Sequence, residues 1–363
     1  MMSLFREGAS SKQASRAAIV LIALVLIALP FALAQAGTAW VRITNLAILF
    51  ALLSLGLNIV VGFAGLLDLG YIAFYGVGAY CYALLASPHF GLHLPFWVIL
   101  PIGAAFACLF GVLLGAPTLK LRGDYLAIVT LGFGEIVRIF MNNLSAPVNL
   151  TNGPKGITRI DSFQIGPLNF AASDTVAGLV FSGPIKYYYF LLLVLLVVIV
   201  INRRLQDSRI GRAWVAIRED EVAAKAVGIN TRNIKLLAFA MGASFGGIAG
   251  GMFAALQTFV SPESFVLNES IMILAMVVLG GMGNIWGVIA GAVLLSFMPE
   301  VLRYTVEPVQ TWLFGRMLVD PEVLRMLVFG VALVLTMRFM PAGLFPETRH
   351  RREMAEAAKA DTA

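Results

Sequence analysis

Residues 187–202 read YYYFLLLVLLVVIVIN, and residues 203–235 directly after them read RRLQDSRIGRAWVAIREDEVAAKAVGINTRNIK. The first stretch has no charged side chain, as expected of a helix in the hydrocarbon core of a bilayer. The second contains the one long charged segment set between strongly apolar stretches, and we call its residues 208–235 the charged island. An apolar run next to a long charged segment predicts a membrane protein that exposes one sizeable element to water.

The composition of the whole chain points to the same class. Hydrophobic residues make up 60% of the 363 positions and charged residues 13%, whereas about a quarter of a soluble domain is charged. The net charge of +6 comes from basic residues at the ends of apolar segments. That placement is the orientation signal of membrane proteins, so we expect the lipid bilayer to be a partner and nucleic acid not to be.

The apolar segments predict an all-α, polytopic integral membrane protein with about ten transmembrane helices, some of them short or broken. We expect the third segment to be broken by Gly70, Gly76 and Gly78, and the eighth and ninth to be short. Interruptions of this kind persist in membranes only where protein or a water-filled cavity covers the backbone. The predicted spans are 17–36, 40–62, 66–86, 95–115, 124–144, 187–202, 236–257, 268–282, 285–301 and 323–340.

The basic residues predict the orientation of these spans. With ten spans, most Lys and Arg residues outside the apolar segments fall on one side, which the positive-inside tendency makes the cytoplasm. We therefore expect both termini in the cytoplasm. The predicted divisions are a cytoplasmic segment 1–16, a transmembrane domain 17–346 and a cytoplasmic tail 347–363, with a cytoplasmic loop 203–235 and a loop 145–186 on the outer side.

Polar groups inside the predicted spans are few. Glu135 and Arg138 lie three residues apart on one face of the fifth span and can neutralise each other. Glycines recur every fourth position at 242, 246 and 250, a spacing that lets helices approach closely in lipid. We predict pathway or gating roles for Glu135 and for the glycines of two glycine-rich turns, which are Gly65, Gly70, Gly76, Gly78, Gly280, Gly281 and Gly283.

The sequence offers no means of its own to drive transport. It lacks the G-x-x-x-x-G-K-[ST] phosphate-binding loop, and its three histidines and two cysteines form neither a catalytic set nor a metal-ligand pattern. We expect a non-catalytic subunit that binds no metal or cofactor. The island segment 219–228 predicts a two-turn helix with acidic residues at its start, Lys225 near its end and Gly228 as its stop. Two turns are unstable alone, so this helix needs a docking partner.

Several long motifs resemble one family. Residues 51–85, 117–139, 151–157, 211–230 and 279–294, with the closing PAGLFP at 341–346, resemble the LivM-type permease of bacterial branched-chain amino acid ABC importers. The island is similar to the coupling helix through which such permeases contact an ATPase. The loop at 151–155, TNGPK, has Asn and Lys where the family pattern has Gly and Asn.

The resemblance implies a permease in a bacterial inner membrane, with 17–346 as its permease domain, 203–235 as its coupling loop and 145–186 as its periplasmic loop. Such a permease imports leucine, isoleucine and valine with a second related permease, two ABC ATPase subunits that bind ATP and Mg²⁺, and a periplasmic binding protein. The resemblance assigns the ATPase contact to six island residues, Glu219, Asp220, Glu221, Ala223, Ala224 and Gly228. Two alternatives stay open. The same machinery could carry urea, short amides or other amino acids, or the chain could be an ion-driven carrier or channel.

Overall fold

The computed structural model describes residues 21–119, 121, 123–146, 149–166, 168–176, 179–314, 316, 321–340 and 343–345. The predicted terminal segments 1–16 and 347–363 lie outside these residues. The described part is a bundle of α-helices, ten of them apolar, and seven of the apolar helices have the length and composition needed to cross a membrane. The prediction of an all-α, polytopic membrane protein is confirmed.

The apolar helices follow the predicted spans closely, and two short helices lie in the charged island. The helices are α1 (Leu21–Ala36), α2 (Thr38–Asn58), α3 (Ile72–Leu85), α4 (Phe96–Thr118), α5 (Asp124–Asn143), α6 (Gly183–Gln206), α7 (Arg209–Glu219), α8 (Glu221–Ala226), α9 (Thr231–Gln257), α10 (Leu267–Gly280), α11 (Ile285–Phe314) and α12 (Pro321–Phe339). A π-helical turn, Ile59–Phe63, continues α2.

The two ends of the bundle differ in chemistry. At one end, the island packs on the last residues of α2 and α4, because Arg218 contacts Gly62 and a cavity of about 340 Å³ is lined by Leu119 and Glu221. At the other end, strand β1 (Ile157–Thr158) pairs antiparallel with β6 (Phe259–Val260). This pairing joins the loop after α5 to the segment after α9. We call the two ends the island end and the outer end.

The rest of the outer-end loop forms small hairpins. Strand β2 (Gln164–Ile165) pairs with β3 (Leu168–Asn169), and β4 (Asp174–Val176) pairs with β5 (Leu179–Phe181). Phe163 lies beneath them and packs on the rings of Phe96 and Tyr187, which tie the loop to α4 and α6. The loop is therefore a structured cover over the outer end of the bundle.

The third span is interrupted earlier than predicted. Residues 64–71 are non-helical, so Gly65 and Gly70 lie in the break, whereas Gly76 and Gly78 lie inside the continuous helix α3. The prediction that Gly76 and Gly78 break the span is wrong. A Cβ on Gly78 would lie 2.1 Å from the carbonyl oxygen of Gly247 on α9, so this glycine allows close helix packing instead.

One further expectation needs correction. Of the eighth and ninth spans only the eighth is short, because α10 has 14 residues whereas α11 has 30. The predicted two-turn helix of the island is present as α8, and a further helix, α7, precedes it. The chain leaves the helical conformation at Asp220 (φ −153°) between the two. The glycine repeat of α9 does mark packing, because a Cβ on Gly250 would lie 2.1 Å from the carbonyl oxygen of Tyr75.

Two glycines provide a matched test of the close packing between α3 and α9. We expect Gly78→Ala to destabilise the protein by about 1–3 kcal/mol, because the backbones must separate to admit a methyl group. Gly132→Ala should be neutral or slightly stabilising, since nothing lies within 4 Å of its Cβ position on α5 and Ala favours helix. Thermal unfolding of the purified protein in detergent measures both. Equal melting temperatures for the two variants would contradict the packing assignment.

Candidate coupling and pathway sites

Each island helix begins at a polar capping residue. The Ser208 hydroxyl accepts a hydrogen bond from the Gly211 backbone N–H at 3.1 Å and starts α7. The Asp220 carboxylate accepts from the N–H groups of Val222 and Ala223, at 2.7 and 3.0 Å, and starts α8. Such caps satisfy backbone donors that a helix start leaves open. Asp220 therefore sets where α8 begins.

Buried groups hold the island against the bundle. The indole of Trp214 on α7 is fully buried and donates to the Ile234 carbonyl at 2.7 Å. The Glu221 carboxylate binds the Lys235 ammonium group at 2.7 Å and that of Lys225 at 3.0 Å. Lys235 lies in the first turns of α9, so the ion pair ties α8 to a membrane-spanning helix. Hydrogen bonds from Lys235, and then from Lys225, lower the pKa of Glu221 to about 2.

The end of α8 follows the predicted pattern. Gly228 has φ +87°, the left-handed conformation that favours glycine, and the Ile229 N–H bonds the Ala224 carbonyl at 3.1 Å. The six residues predicted for ATPase contact have different environments. Glu219, Asp220, Ala223 and Gly228 are exposed, Glu221 binds lysines of its own chain, and Ala224 is buried. In this conformation Glu221 and Ala224 therefore position α8.

Exposed apolar side chains give α8 a surface of a different kind. Val222 is 67% exposed and Val227 is 77% exposed, with exposed Ala223 and Ala226 between them in sequence. These residues lie on an element rich in charged groups, away from the apolar helices. This exposure gives α8 an apolar surface beside its charged groups. We call Val222, Ala223, Ala226 and Val227 the apolar patch of α8.

One arginine joins the island to the broken part of the bundle. The Arg218 guanidinium on α7 donates to the Gly62 carbonyl in the π-helical turn at 2.6 Å. Its side chain also covers Gly65, where a Cβ would lie 2.5 Å from Cγ of Arg218. Gly65 has φ +68°, so it is both conformationally and sterically restricted to glycine. A displacement of α7 would act directly on the segment that interrupts the third span.

The two predicted glycine-rich turns meet through one asparagine. The Asn58 side chain at the end of α2 is buried, and its oxygen accepts from the Gly283 N–H at 2.9 Å. The same turn is closed from the other side, because the Leu344 N–H donates to the Leu279 carbonyl and the Asn284 amide to that of Phe345. Segments 59–65 and 280–284 therefore form one junction, whereas Gly76 and Gly78 lie elsewhere, on α3.

The predicted Glu135–Arg138 pair is confirmed, and it has a third member. The Arg138 guanidinium binds the Glu135 carboxylate on the same helix. It also binds the Glu263 carboxylate at 3.1 Å, in a 3₁₀ turn (Pro262–Ser264) before α10. Asn142 donates to the same glutamate at 3.4 Å. These charges lie toward the outer end, far along α5 from the island.

Sequence reasoning missed Asn58, Arg218 and Glu263. Arg218 lies in the charged island, but nothing in its neighbours indicates a partner 156 positions away. Asn58 is a polar residue in an otherwise apolar run, a signal that could have been used. Glu263 follows a proline in a short polar segment, and only the tertiary contact with Arg138 reveals it.

The fold and these sites define the class of protein. In the described residues, apolar helices surround two irregular segments, 59–65 and 280–284, and the charged island is hydrogen-bonded to the first of them. Irregular backbone that meets inside a helix bundle is characteristic of membrane transport proteins. The chain is a multi-pass membrane permease.

Comparison with known proteins supplies the family. Residues 39–337 match the branched-chain amino acid transport system permease component. The chain is 43% identical to the high-affinity branched-chain amino acid transport system permease protein LivM of Escherichia coli (strain K12), over 97% of this chain and 79% of the relative. The corresponding Salmonella typhimurium protein is 41% identical, over 94% and 77%. A probable branched-chain amino acid transport permease of Methanocaldococcus jannaschii is 26% identical, over 69% of each chain. No solved structure matches.

The chain therefore belongs to the branched-chain amino acid transport system permease family. The match over nearly its whole length confirms the family resemblance and the transport function, with branched-chain amino acids as the substrate class.

The lowered pKa of Glu221 predicts that the stability of the charged island depends on pH. A carboxylate with a lowered pKa stabilises the fold above its ordinary value near 4.5, and this contribution is lost as the pH falls toward about 2. We expect hydrogen exchange of the α8 amides, corrected for intrinsic rates, to accelerate over that range. Glu221→Gln should abolish the dependence, whereas Glu219→Gln should retain it. An unchanged pH profile in Glu221→Gln would contradict the assignment.

Proposed function

We propose that the chain is the non-catalytic permease subunit of an ATP-driven importer and that α8 receives the ATPase. The permease would pair with a second related permease. Two ABC ATPase subunits would bind ATP and Mg²⁺, and a periplasmic protein would deliver leucine, isoleucine or valine to the outer end. The protein would lie in the inner membrane with the island end and both termini in the cytoplasm. The observation that carries the proposal is the apolar patch on a rigidly held α8.

Three features support the transfer of force from α8 to the membrane. The Glu221–Lys235 ion pair joins α8 to α9, so movement of one helix pulls on the other. Arg218 connects α7 to the π-helical turn. Asn58 connects the start of that turn to the turn between α10 and α11. A displacement imposed on the island would therefore reach both the π-helical turn and the turn between α10 and α11 through direct hydrogen bonds.

We propose different roles for the exposed and the buried members of the six predicted contact residues. The exposed patch would enter a groove of the ATPase, with Glu219, Asp220, Ala223 and Gly228 at its rim. Glu221 and Ala224 would hold α8 in position without touching the partner. Closure of the ATPase pair on ATP would then move the island as a unit. The ion-driven alternative has less support, because the charged groups of α5 already form an ion pair.

Charge placed on the patch tests the docking surface. We expect the double variant Val222→Lys/Val227→Lys to lose co-purification of the ATPase subunits, because two charges would be buried without partners. The fold should persist, since both side chains are exposed. Val180→Lys is the matched control, an exposed valine in the outer-end loop. Normal ATPase binding by the double variant would refute the assignment of α8.

Removal of the arginine link tests transmission separately from docking. We expect Arg218→Gln to keep the ATPase subunits bound but to reduce ATP-driven uptake in proteoliposomes about tenfold, by loss of one charged hydrogen bond. Arg218→Lys, which retains the positive charge, should recover part of the activity. Arg212→Gln on the same helix is the control, because its guanidinium binds only a local carbonyl in the described contacts. Full uptake by Arg218→Gln would show that force takes another route.

A further inference from the structure

Glu135, Arg138 and Glu263 form a mixed-charge group between α5 and the turn before α10, which we call the outer charge cluster. The Arg138 guanidinium lies between the two carboxylates, with Nε 3.1 Å from both oxygens of Glu135 and Nη1 3.1 Å from Glu263. Two carboxylates share one guanidinium, so the cluster carries a net charge of −1. It therefore offers a donor for a carboxylate together with an unbalanced acceptor for a cation.

The position of the cluster implies contact with water or protein. Glu135 is the twelfth of the twenty residues of α5, which places it well inside the membrane-spanning part. Its side chain is nevertheless 40% exposed. A carboxylate that faces hydrocarbon is unfavourable even when it is paired, so an aqueous path or another subunit is the more favourable surrounding for this face of α5. Either setting fits a translocation pathway.

A small apolar cavity adjoins the same carboxylate. It measures about 120 Å³ and is lined by Glu135 and six apolar or glycine positions, Leu69, Ile72, Leu131, Gly134, Phe265 and Leu267. Its volume equals roughly four water molecules of ~30 Å³ each, which suits one aliphatic side chain and excludes a drug-sized ligand. A carboxylate at the edge of a single-side-chain cavity matches the two parts of an aliphatic amino acid.

The cavity wall is held by hydrogen bonds from separate helices. The Leu69 N–H donates to the Thr130 hydroxyl on α5 at 3.0 Å, and the Leu69 carbonyl accepts from Ser270 on α10 at 2.6 Å. The break in the third span is thereby fixed between two helices, one of which carries Glu135. A change at the break would alter the cavity as well, so occupancy and gating are physically connected.

We propose that the outer charge cluster and this cavity form a binding site for the branched-chain amino acid within the permease. The substrate carboxylate replaces Glu263 at Arg138, its ammonium group lies between the two glutamates, and its side chain fills the cavity. The proposal rests on the function proposed above and adds the site that the substrate occupies between delivery and release. It requires recognition of both charges of the zwitterion.

A larger cavity elsewhere in the bundle is a poorer site for such a substrate. It measures about 680 Å³ between α3, α4 and α5, and its lining is almost wholly apolar. An amino acid there would leave its ammonium and carboxylate groups without partners, which costs far more than the apolar contact contributes. The smaller cavity beside Glu135 satisfies both groups.

Equilibrium binding of radiolabelled leucine tests the site. The assembled importer is placed in lipid nanodiscs without its periplasmic binding protein. We expect saturable binding that valine displaces, whereas 4-methylpentanoate, which lacks the ammonium group, and leucinamide, which lacks the carboxylate, do not. Glu135→Gln and Arg138→Gln should each weaken leucine binding about tenfold or more, as expected for loss of a charged hydrogen bond.

Two further variants separate binding from folding. Glu263→Gln leaves the Glu135–Arg138 pair intact, so a purely structural role predicts unchanged binding whereas our proposal predicts weaker binding. Leu267→Phe narrows the cavity and should reduce affinity for leucine more than affinity for alanine, a ratio that general destabilisation does not change. Asp207→Asn removes an exposed carboxylate next to the island and serves as the control.

Three results would overturn the inference. The first is that the wild-type importer shows no saturable leucine binding. The second is that 4-methylpentanoate or leucinamide displaces bound leucine. The third is that Glu135→Gln and Arg138→Gln bind leucine as tightly as the wild type. ATP-driven uptake of leucine in proteoliposomes with the binding protein is measured in parallel. Its presence alongside a failed binding test rejects the site alone, whereas its absence in the wild type rejects the proposed function.

Discussion

Asn58 satisfies a backbone N–H where the end of α2 meets the turn between α10 and α11. Backbone N–H and C=O groups that are shielded from water need partners from the protein itself. The Asn58 side chain accepts a hydrogen bond from the Gly283 N–H, and the Arg218 side chain donates to the Gly62 carbonyl. The segment Gly343–Phe345 donates backbone hydrogen bonds to carbonyls at the end of α10. This requirement brings together segments from the beginning, middle and end of the chain, and it explains why the junction contains both glycine-rich turns.

Close helix contact makes the junction possible. Helix α9 packs against α2, α3 and α4 through glycines, where a Cβ would collide with backbone atoms of the neighbouring helix. Such contact brings backbones near enough for van der Waals packing to replace the hydrophobic effect, which does not drive helix association in lipid. Because α9 also carries Lys235, the partner of Glu221, the central packing helix extends directly into the coupling element.

The permease therefore has two sites with different chemistry at its two ends. At the island end, ion pairs inside the chain hold α8 while two valines are exposed, so the surface that we propose for the ATPase is apolar. At the outer end, charged groups are partly exposed beside an apolar cavity, which is the arrangement that a zwitterion with an aliphatic side chain needs. The break at residues 64–71 lies between them and contacts both, through Arg218 at Gly65 and through Leu69 at the cavity.

Most of the fold follows from the order of residues alone. Apolar runs long enough to span hydrocarbon can only be helices there, so the order of the apolar helices, the charged island and the Glu135–Arg138 pair three residues apart could be predicted from local pattern. The end of α8 at Gly228 was also predictable, because glycine accepts the left-handed conformation at little cost. The family resemblance came from motifs spread over the same runs.

Contacts between distant parts of the chain were beyond sequence reasoning. In a sequence, a glycine that breaks a helix cannot be distinguished from one that allows another helix to pack closely. Gly78 is a packing residue because α9 lies against it. Likewise an exposed valine and a buried alanine differ little in sequence, so the fold determined that Ala224 faces inward and Val227 outward. The partners of Asn58, Arg218 and Glu263 lie far away along the chain. Their pairing depends on the whole bundle, because each polar group bonds a partner that only the packing of the helices brings close to it.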